Sequence, residues 1–426
     1  MNNWKETTLD KAVYINPSVS LKRGKEYFFV DMKAIEPVNR CVSESEVREY
    51  KGGGSRFMPN DTLMARITPC LENGKIARYV PSDGNSPAYG STEFIVIRGR
   101  EGITDNDFAY YLTRCETFRN FAISQMTGSS GRQRVPVDSI SNFNLRLPPL
   151  PEQKAIAHIL GTLDDKIELN RRANKTLEEI ARAIFKSWFV DFEFPFDFAQ
   201  GRPNEKGKPY KSSGGEMIDS EMGEIPKGWK VAELNEIADV IDCLHSKKPE
   251  RQKYGLPFLQ LWNICDNGLI DMTDTYYIDE ADYKQWISRM EASPGDCVIT
   301  NVGRVGAVAQ VPEGFKAALG RNMTGIHCKP FLRYRTFLIE CLISDAMRNE
   351  IITKSDTGTI LDAINVRNIP SLRFVLPTEK IINIFEQMVR PLRAKMETNL
   401  KQSHTLATLR DTLLPKLLSG EIRVKI

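Results

Sequence analysis

With 426 residues the chain can hold two or more domains of ordinary size, and 41% hydrophobic residues can build real cores. Its 58 basic and 55 acidic residues leave a net charge of only +3, which excludes a global field as the source of affinity for a polyanion. No apolar run approaches the ~20 residues that cross a bilayer, and the opening MNNWKETTLD does not read as a signal peptide.

In chain order, the first feature is a beginning that recurs. NNWKETTLDKAV places Trp4, Lys5 and Leu9 as IPKGWKVAELNEIADV later places Trp229, Lys230 and Leu234. Residues 1–150 then alternate short β-branched runs (DTLMARI, TEFIVIRG) with Gly, Pro and Asn turns, followed by a helical stretch, DNDFAYYLTRCETFRNFAISQ. Basic loops punctuate this part. LKRGKEY carries Lys22, Arg23 and Lys25, KGGGSRF carries Lys51 and Arg56, and TGSSGRQRV carries Arg132, Gln133 and Arg134. Small residues beside Arg and Gln suit close approach to phosphates and to guanine or adenine edges.

The prolines of LRLPPLPEQ, with Glu152 in the first turn, start a long helix within residues 151–194. Its apolar positions Leu160, Leu163, Ile167, Leu177, Ala181, Ile184 and Trp188 alternate in the 3-4 rhythm of a coiled coil, with Asn170 and Asn174 in the seam. Residues 195–228, rich in Gly, Pro, Lys and Ser, read as a linker or a long surface loop.

Residues 229–377 match the first part in kind. GDCVIT, GAVAQV and LRFVLP read as strands and YRTFLIECLISDAMRNEIIT as helix. The loop HSKKPERQKYG supplies Lys247, Lys248, Arg251, Gln252, Lys253 and Tyr254. TNVGRVG and GRNMTG add Asn301, Arg304, Arg321 and Asn322, and Thr357 stands in the echo of the first Thr-Gly loop. Residues 378–426 repeat the seam as Val389, Leu392, Met396, Leu406, Leu413 and Leu417, with Asn399 and Ser403 matching the two asparagines. Pro391 is expected to start this helix afresh or kink it, and Pro415 to disturb its last turns.

A single offset with small drifts thus carries Asn170 onto Asn399, Ile140 onto Ile369 and Pro148 onto Pro377. Two copies of one unit in tandem explain why the chain begins twice. The expected fold is α+β: two globular α/β domains separated by two long antiparallel coiled-coil helices, in a pseudo-two-fold tandem repeat. Two unrelated surface helices are the plainer alternative, and the matched seam asparagines argue against it.

The catalytic signatures sought are missing. There is no complete phosphate-binding loop, no G-x-G-x-x-G between strand and helix, no G-x-S-x-G elbow and no N-P-P-[YF]. Glu152-Gln153-Lys154 mimics a nuclease fragment but suits a helix's first turn. The eight cysteines and four histidines are scattered, so free thiols in a reducing cytoplasm and no protein-bound metal are expected.

At SSGGEMIDSEMGEIPKGWKV, LPPLPEQKAIAHILGTLDDKIELN, AIFKSWFVDFEFP and LRDTLLPKLLSGEIRV the chain resembles the DNA-specificity subunit of type I restriction–modification systems. The resemblance covers nearly the whole sequence. It implies two target-recognition domains, each reading one half of a split double-stranded DNA site, with the helical spacer setting the gap. It also implies a complex with two modification subunits, which hold S-adenosylmethionine, and with ATP-using restriction subunits. The chain itself would be non-catalytic and would hold no cofactor. The alternatives are an enzyme fused to recognition domains, for which no room remains, and a coiled-coil scaffold binding only protein partners.

Overall fold

The computed structural model describes residues 4–329, 333–356 and 362–425. The chain divides into two compact units, Met1–Leu169 with Thr405–Ile426, and Asn170–His404.

In the first unit the apolar runs become buried strands. Phe94–Gly99 lies between Val13–Ile15 and Thr62–Ala65, both antiparallel to it, and Ile76–Tyr79 and Cys41–Val42 extend the sheet. All four residues of Thr62–Ala65 are buried, which is why that strand reads as continuous rather than alternating. A second sheet runs in the order Glu46–Glu49, Glu26–Val30, Ala88–Gly90, Ser55–Phe57, with the central pair parallel. Lys5–Thr8 pairs with Asn144–Leu147, so the start of the chain lies beside the strand that leads into the long helix.

The stretch expected as one helix forms two, Asn106–Arg114 and Glu116–Ser124, because Cys115 takes an extended backbone (φ −60°, ψ 133°). Gln153 is fully buried and ties the start of the long helix to this layer: its Nε2 donates to Ile103 and Pro148 carbonyls, and its Oε1 accepts from Asp105 N–H. Glu152 accepts from Trp4 Nε1 at 3.0 Å and from Arg423 Nε at 2.6 Å. Glu152 and Gln153 of the Glu-Gln-Lys fragment thus serve the fold.

In the second unit the same order of pairings recurs. Met323–Cys328 lies between Ala238–Asp242 and Cys297–Thr300, with Val308–Gln310 outside. Leu256–Leu259 runs parallel to Ala318–Leu319, and Lys230–Glu233 pairs with Arg373–Leu376. The predicted helix again breaks in two, Arg335–Leu342 and Asp345–Lys354, where Ser344 becomes an N-cap whose hydroxyl accepts from Met347 N–H.

Residues 195–228 do more than link. Pro195–Asp197, Arg202–Pro203 and Lys208–Pro209 form a three-stranded sheet, and Met217–Ile218 pairs with Ile225–Pro226. Aromatics at alternate positions make this possible. Phe194 stacks on Tyr210 at 4.6 Å and on Trp229 at 4.9 Å, and Phe196 meets Tyr210 edge-on at 5.0 Å. Trp4 has a different cover, packed against the turn at Gly420 (φ +78°) with the Arg423 guanidinium 5.4 Å from its ring.

The two long helices span Leu150–Phe189 and Glu379–Ser419. The second begins at Glu379 and continues through both Pro391 and Pro415, which overturns the fresh start expected at Pro391. Pro391 is exposed, and the neighbouring buried residues Val389, Arg393 and Met396 hold the helix by their packing. Within the second unit the helices run antiparallel. Phe185, Trp188 and Phe189 all meet Phe385, while Asn174 Nδ2 reaches the Met396 carbonyl and Asn170 Nδ2 reaches Gln402 Oε1 and Ser403 Oγ. Asn399 Nδ2 donates to Asn174 Oδ1 at 2.8 Å, the counterpart of the bond from Asn170 to Ser403. Within the first unit, Leu160 shares a core with Leu414 and Leu417, and Asp164 pairs with Arg410 at 2.6 Å.

One buried polar contact joins a domain helix to a long helix in each unit, with its chemistry exchanged. In the first, Tyr111 Oη donates to Asp164 at 2.7 Å; in the second, Arg393 Nη1 donates to Glu340 at 2.8 Å. The same offset that aligns the seam asparagines carries Tyr111 onto Glu340 and Asp164 onto Arg393.

Candidate nucleic-acid interface

In the first unit, Gly24 N–H bonds the Tyr50 carbonyl and Tyr50 N–H bonds the Lys25 carbonyl. These bonds bring Lys22, Arg23 and Lys25 beside Lys51, over a small core of Val19, Leu21, Tyr50 and Tyr89. Arg23 lies across Gly52, whose positive φ (+102°) favours glycine there. Arg56 is exposed on the edge strand Ser55–Phe57.

The loop with Arg132, Gln133 and Arg134 closes through paired backbone bonds between Thr127 and Arg134, and Thr68 donates to the Gln133 carbonyl. Arg132 projects exposed from the loop. Arg134 is paired with Glu93 at 2.9 Å, which raises its hold on its proton through that hydrogen bond and steadies the loop's base.

In the second unit the predicted cations divide by role. Lys247 and Lys253 are exposed on the loop, and Gln252 bridges to Tyr277. Arg251 pairs with Asp274 and donates to the Thr275 carbonyl at 3.1 Å; Arg321 Nε donates to the Ser246 carbonyl at 2.6 Å. Lys248 Nζ sits 4.4 Å from the Tyr276 ring centroid and 5.4 Å from that of Trp262. Burial and the neighbouring Arg251 lower its pKa. Tyr276 in turn donates to the Pro249 carbonyl at 2.7 Å. Arg304 pairs with Asp266 and donates to the Ile264 carbonyl at 2.5 Å, so it holds a turn in place.

Asn301 requires a correction. It is 6% exposed and its amide donates to Thr324 Oγ1 at 2.9 Å, so it braces the sheet's end rather than facing a ligand. Asn322, exposed at φ +64°, accepts at its carbonyl from Asn301 N–H. Thr357 lies outside the described residues. The aromatics Trp262 and Tyr276 fall outside the basic run from which sequence reasoning drew its contact candidates.

Asp242, Cys243 and His245 come within 4.8 Å of one another, a grouping not anticipated from spacing. His245 Nε2 meets Asp242 at 2.9 Å, Arg289 stands 3.6 Å from the same carboxylate, and burial pushes the Cys243 thiol up. A neighbouring guanidinium and a thiol kept protonated make poor ligand surroundings for a cation.

Part of the first unit, with its long helix, matches a known domain. Residues 59–179 fit the family model for the type I restriction modification DNA specificity domain. The chain is 28% identical over 393 residues to the type I restriction enzyme MjaIX specificity subunit of Methanocaldococcus jannaschii, covering 91% of this chain and 82% of the relative. It is 25% identical over 424 residues to the HindI specificity subunit of Haemophilus influenzae, covering 89% and 90%. Over about nine-tenths of its length the chain thus resembles type I specificity subunits. The fold agrees with the crystal structure of a type I restriction–modification S subunit from M. genitalium, at TM-score 0.54 and 14% identity over 98% of this chain and 96% of that one. The region matched by the family model runs from before Thr62–Ala65 into the first long helix, so it covers the Arg132 loop and the Tyr111–Asp164 contact. No described helix is long and apolar enough to cross a membrane.

Proposed function

We propose that this specificity subunit reads a split double-stranded DNA target, one recognition domain to each half-site, with the paired long helices setting the gap. The observation that carries the reading is the recurrence of one strand-pairing order in both units, each with exposed cations on loops over its sheets. Half-site spacing mirrors the symmetry of a duplicated reader. The bonds from Asn170 to Ser403 and from Asn399 to Asn174 support a pseudo-two-fold coiled-coil spacer in antiparallel register, since each asparagine meets the other helix's matching position.

On this reading the chain recognises DNA and leaves bond-making to others. The modification subunits would dock on the helical region and carry the methyl-donor chemistry, and restriction subunits would join in the full complex. The Arg132 loop and the Lys22–Lys25 and Lys51 surface would face one half-site, and the Lys247–Lys253 loop the other.

The test is duplex binding by the complex of this subunit with its modification subunits, titrated with salt. Tight binding that requires both half-sites and weakens steeply with salt, at a slope near −0.9 per phosphate contacted, supports the reading. Association with proteins but not with DNA would replace it by the scaffold reading.

A further inference from the structure

Trp262 is the exposed exception among the tryptophans. It is 48% exposed, whereas Trp4, Trp188, Trp229 and Trp286 are 2–7% exposed. It is also held still. It occupies the short turn Leu261–Asn263, whose Asn263 is buried and donates to the Asp271 carbonyl at 2.8 Å. The Trp262 indole N–H donates to the Asp274 carbonyl at 3.0 Å, and Arg304 supports the turn's far end through the Ile264 carbonyl. A tryptophan held half-exposed beside a basic loop is suited to anchor a contact with a partner. Its neighbour across the ring is Lys248, from the basic loop that also carries Lys247 and Lys253.

The first unit contains the same device. After Glu26–Val30, the strand that runs parallel to Ala88–Gly90, comes the turn Met32–Ala34; after Leu256–Leu259, parallel to Ala318–Leu319, comes Leu261–Asn263. Lys75 Nζ donates to the carbonyl of the first turn residue, Met32, at 3.0 Å, as Arg304 Nη1 does to that of Leu261 at 3.3 Å. The exposed middle position is Lys33 in one and Trp262 in the other. A turn at the same place in both units, with a changed presented side chain, is what two readers of different sequences require.

We infer that this turn is a DNA-reading element of the recognition domain, and that Trp262 makes an apolar contact with one half-site while Lys33 makes a polar contact with the other. The inference rests on the proposed split-site reading. Indole suits a thymine methyl or the face of a deoxyribose, and Lys248 beside it supplies charge for the flanking phosphate.

The test maps methylated motifs in a host expressing the full chain with its modification subunits, as wild type, Trp262→Ala, Trp262→Phe and Lys33→Ala. Expected for Trp262→Ala are relaxed bases confined to one half-site, or about tenfold or greater loss of methylation of the whole split site. Trp262→Phe should keep the motif, and Lys33→Ala should alter only the other half-site. An unchanged motif and occupancy in Trp262→Ala overturns the inference while leaving the split-site reading intact. Absence of any split motif in the wild type sinks both. Should Trp262→Ala lose all methylation, co-purification decides: an intact complex supports a DNA contact, and a dissociated one assigns Trp262 to a protein interface and refutes it. Acrylamide quenching of the full chain gives a second readout, because Trp262 should dominate it and target duplex should shield it.

Discussion

Asp164 offers the sharpest test of how the first unit is held to its helices. Its side chain is 7% exposed and accepts from Arg410 Nη1 at 2.6 Å and from Tyr111 Oη at 2.7 Å. Asp164→Ala leaves the buried guanidinium with Asp411 alone, at 2.8 Å and 62% exposed. Removing one partner of a buried pair costs about 3–5 kcal/mol, and the surviving Asp411 contact favours the lower end. The stranded Tyr111 hydroxyl adds about 1–2 kcal/mol. Asp164→Ala should therefore cost about 4 kcal/mol, a large fraction of a domain's ~5–15 kcal/mol. Replacing both partners with apolar residues of similar size, Asp164→Leu with Arg410→Met, should recover most of that loss, because no charge is then buried unpaired. Urea unfolding of the full chain, followed by far-UV circular dichroism, measures both variants. A shift below about 0.5 kcal/mol for Asp164→Ala would refute the contact's role, since that is the range of an ordinary surface substitution.

Phe385, fully buried among Phe185, Trp188 and Phe189, should lose about 3–5 kcal/mol on substitution by Ala, read as a fall in the second unit's melting temperature. Burial raises the Glu386 carboxyl above its ordinary 4.5, only partly offset by the Phe337 and Thr336 N–H groups it accepts from. The folded state therefore keeps this proton to higher pH than the unfolded chain, so its contribution is full below about 4.5 and is lost as pH rises through the folded value. Glu386→Gln should flatten that part of the stability–pH curve, and an unchanged slope would count against it. Arg132→Ala combined with Arg134→Ala should weaken DNA binding by the complex and shallow its salt dependence, with subunit co-purification unchanged.

Much of the architecture was legible because it is written in periodicity. The seam from Leu160 to Trp188 and its echo from Leu392 to Leu417 follow from spacing alone, and the seam asparagines meet as their matched positions suggested. The misreadings have local causes. Cys115 and Ser344 break helices whose apolar period continues across the break, which periodicity cannot register. Pro391 sits on an exposed helix face where neighbouring packing overrides its usual effect. The aromatics from Phe192 to Tyr210 order a segment whose Gly, Pro and Lys content looked like a linker. Among the candidate contact residues, residue type and loop context could not separate exposed Arg132 from Arg304, which braces a turn, or from buried Asn301.

The central claim, a duplicated reader whose helices act as a ruler, is tested most directly by mapping methylated sites after lengthening both helices by seven residues. Seven helical residues add about 10.5 Å, and one base pair rises about 3.4 Å, so both half-sites should persist with the gap about three base pairs longer. A gap of unaltered length, or one uninterrupted motif, would contradict the account.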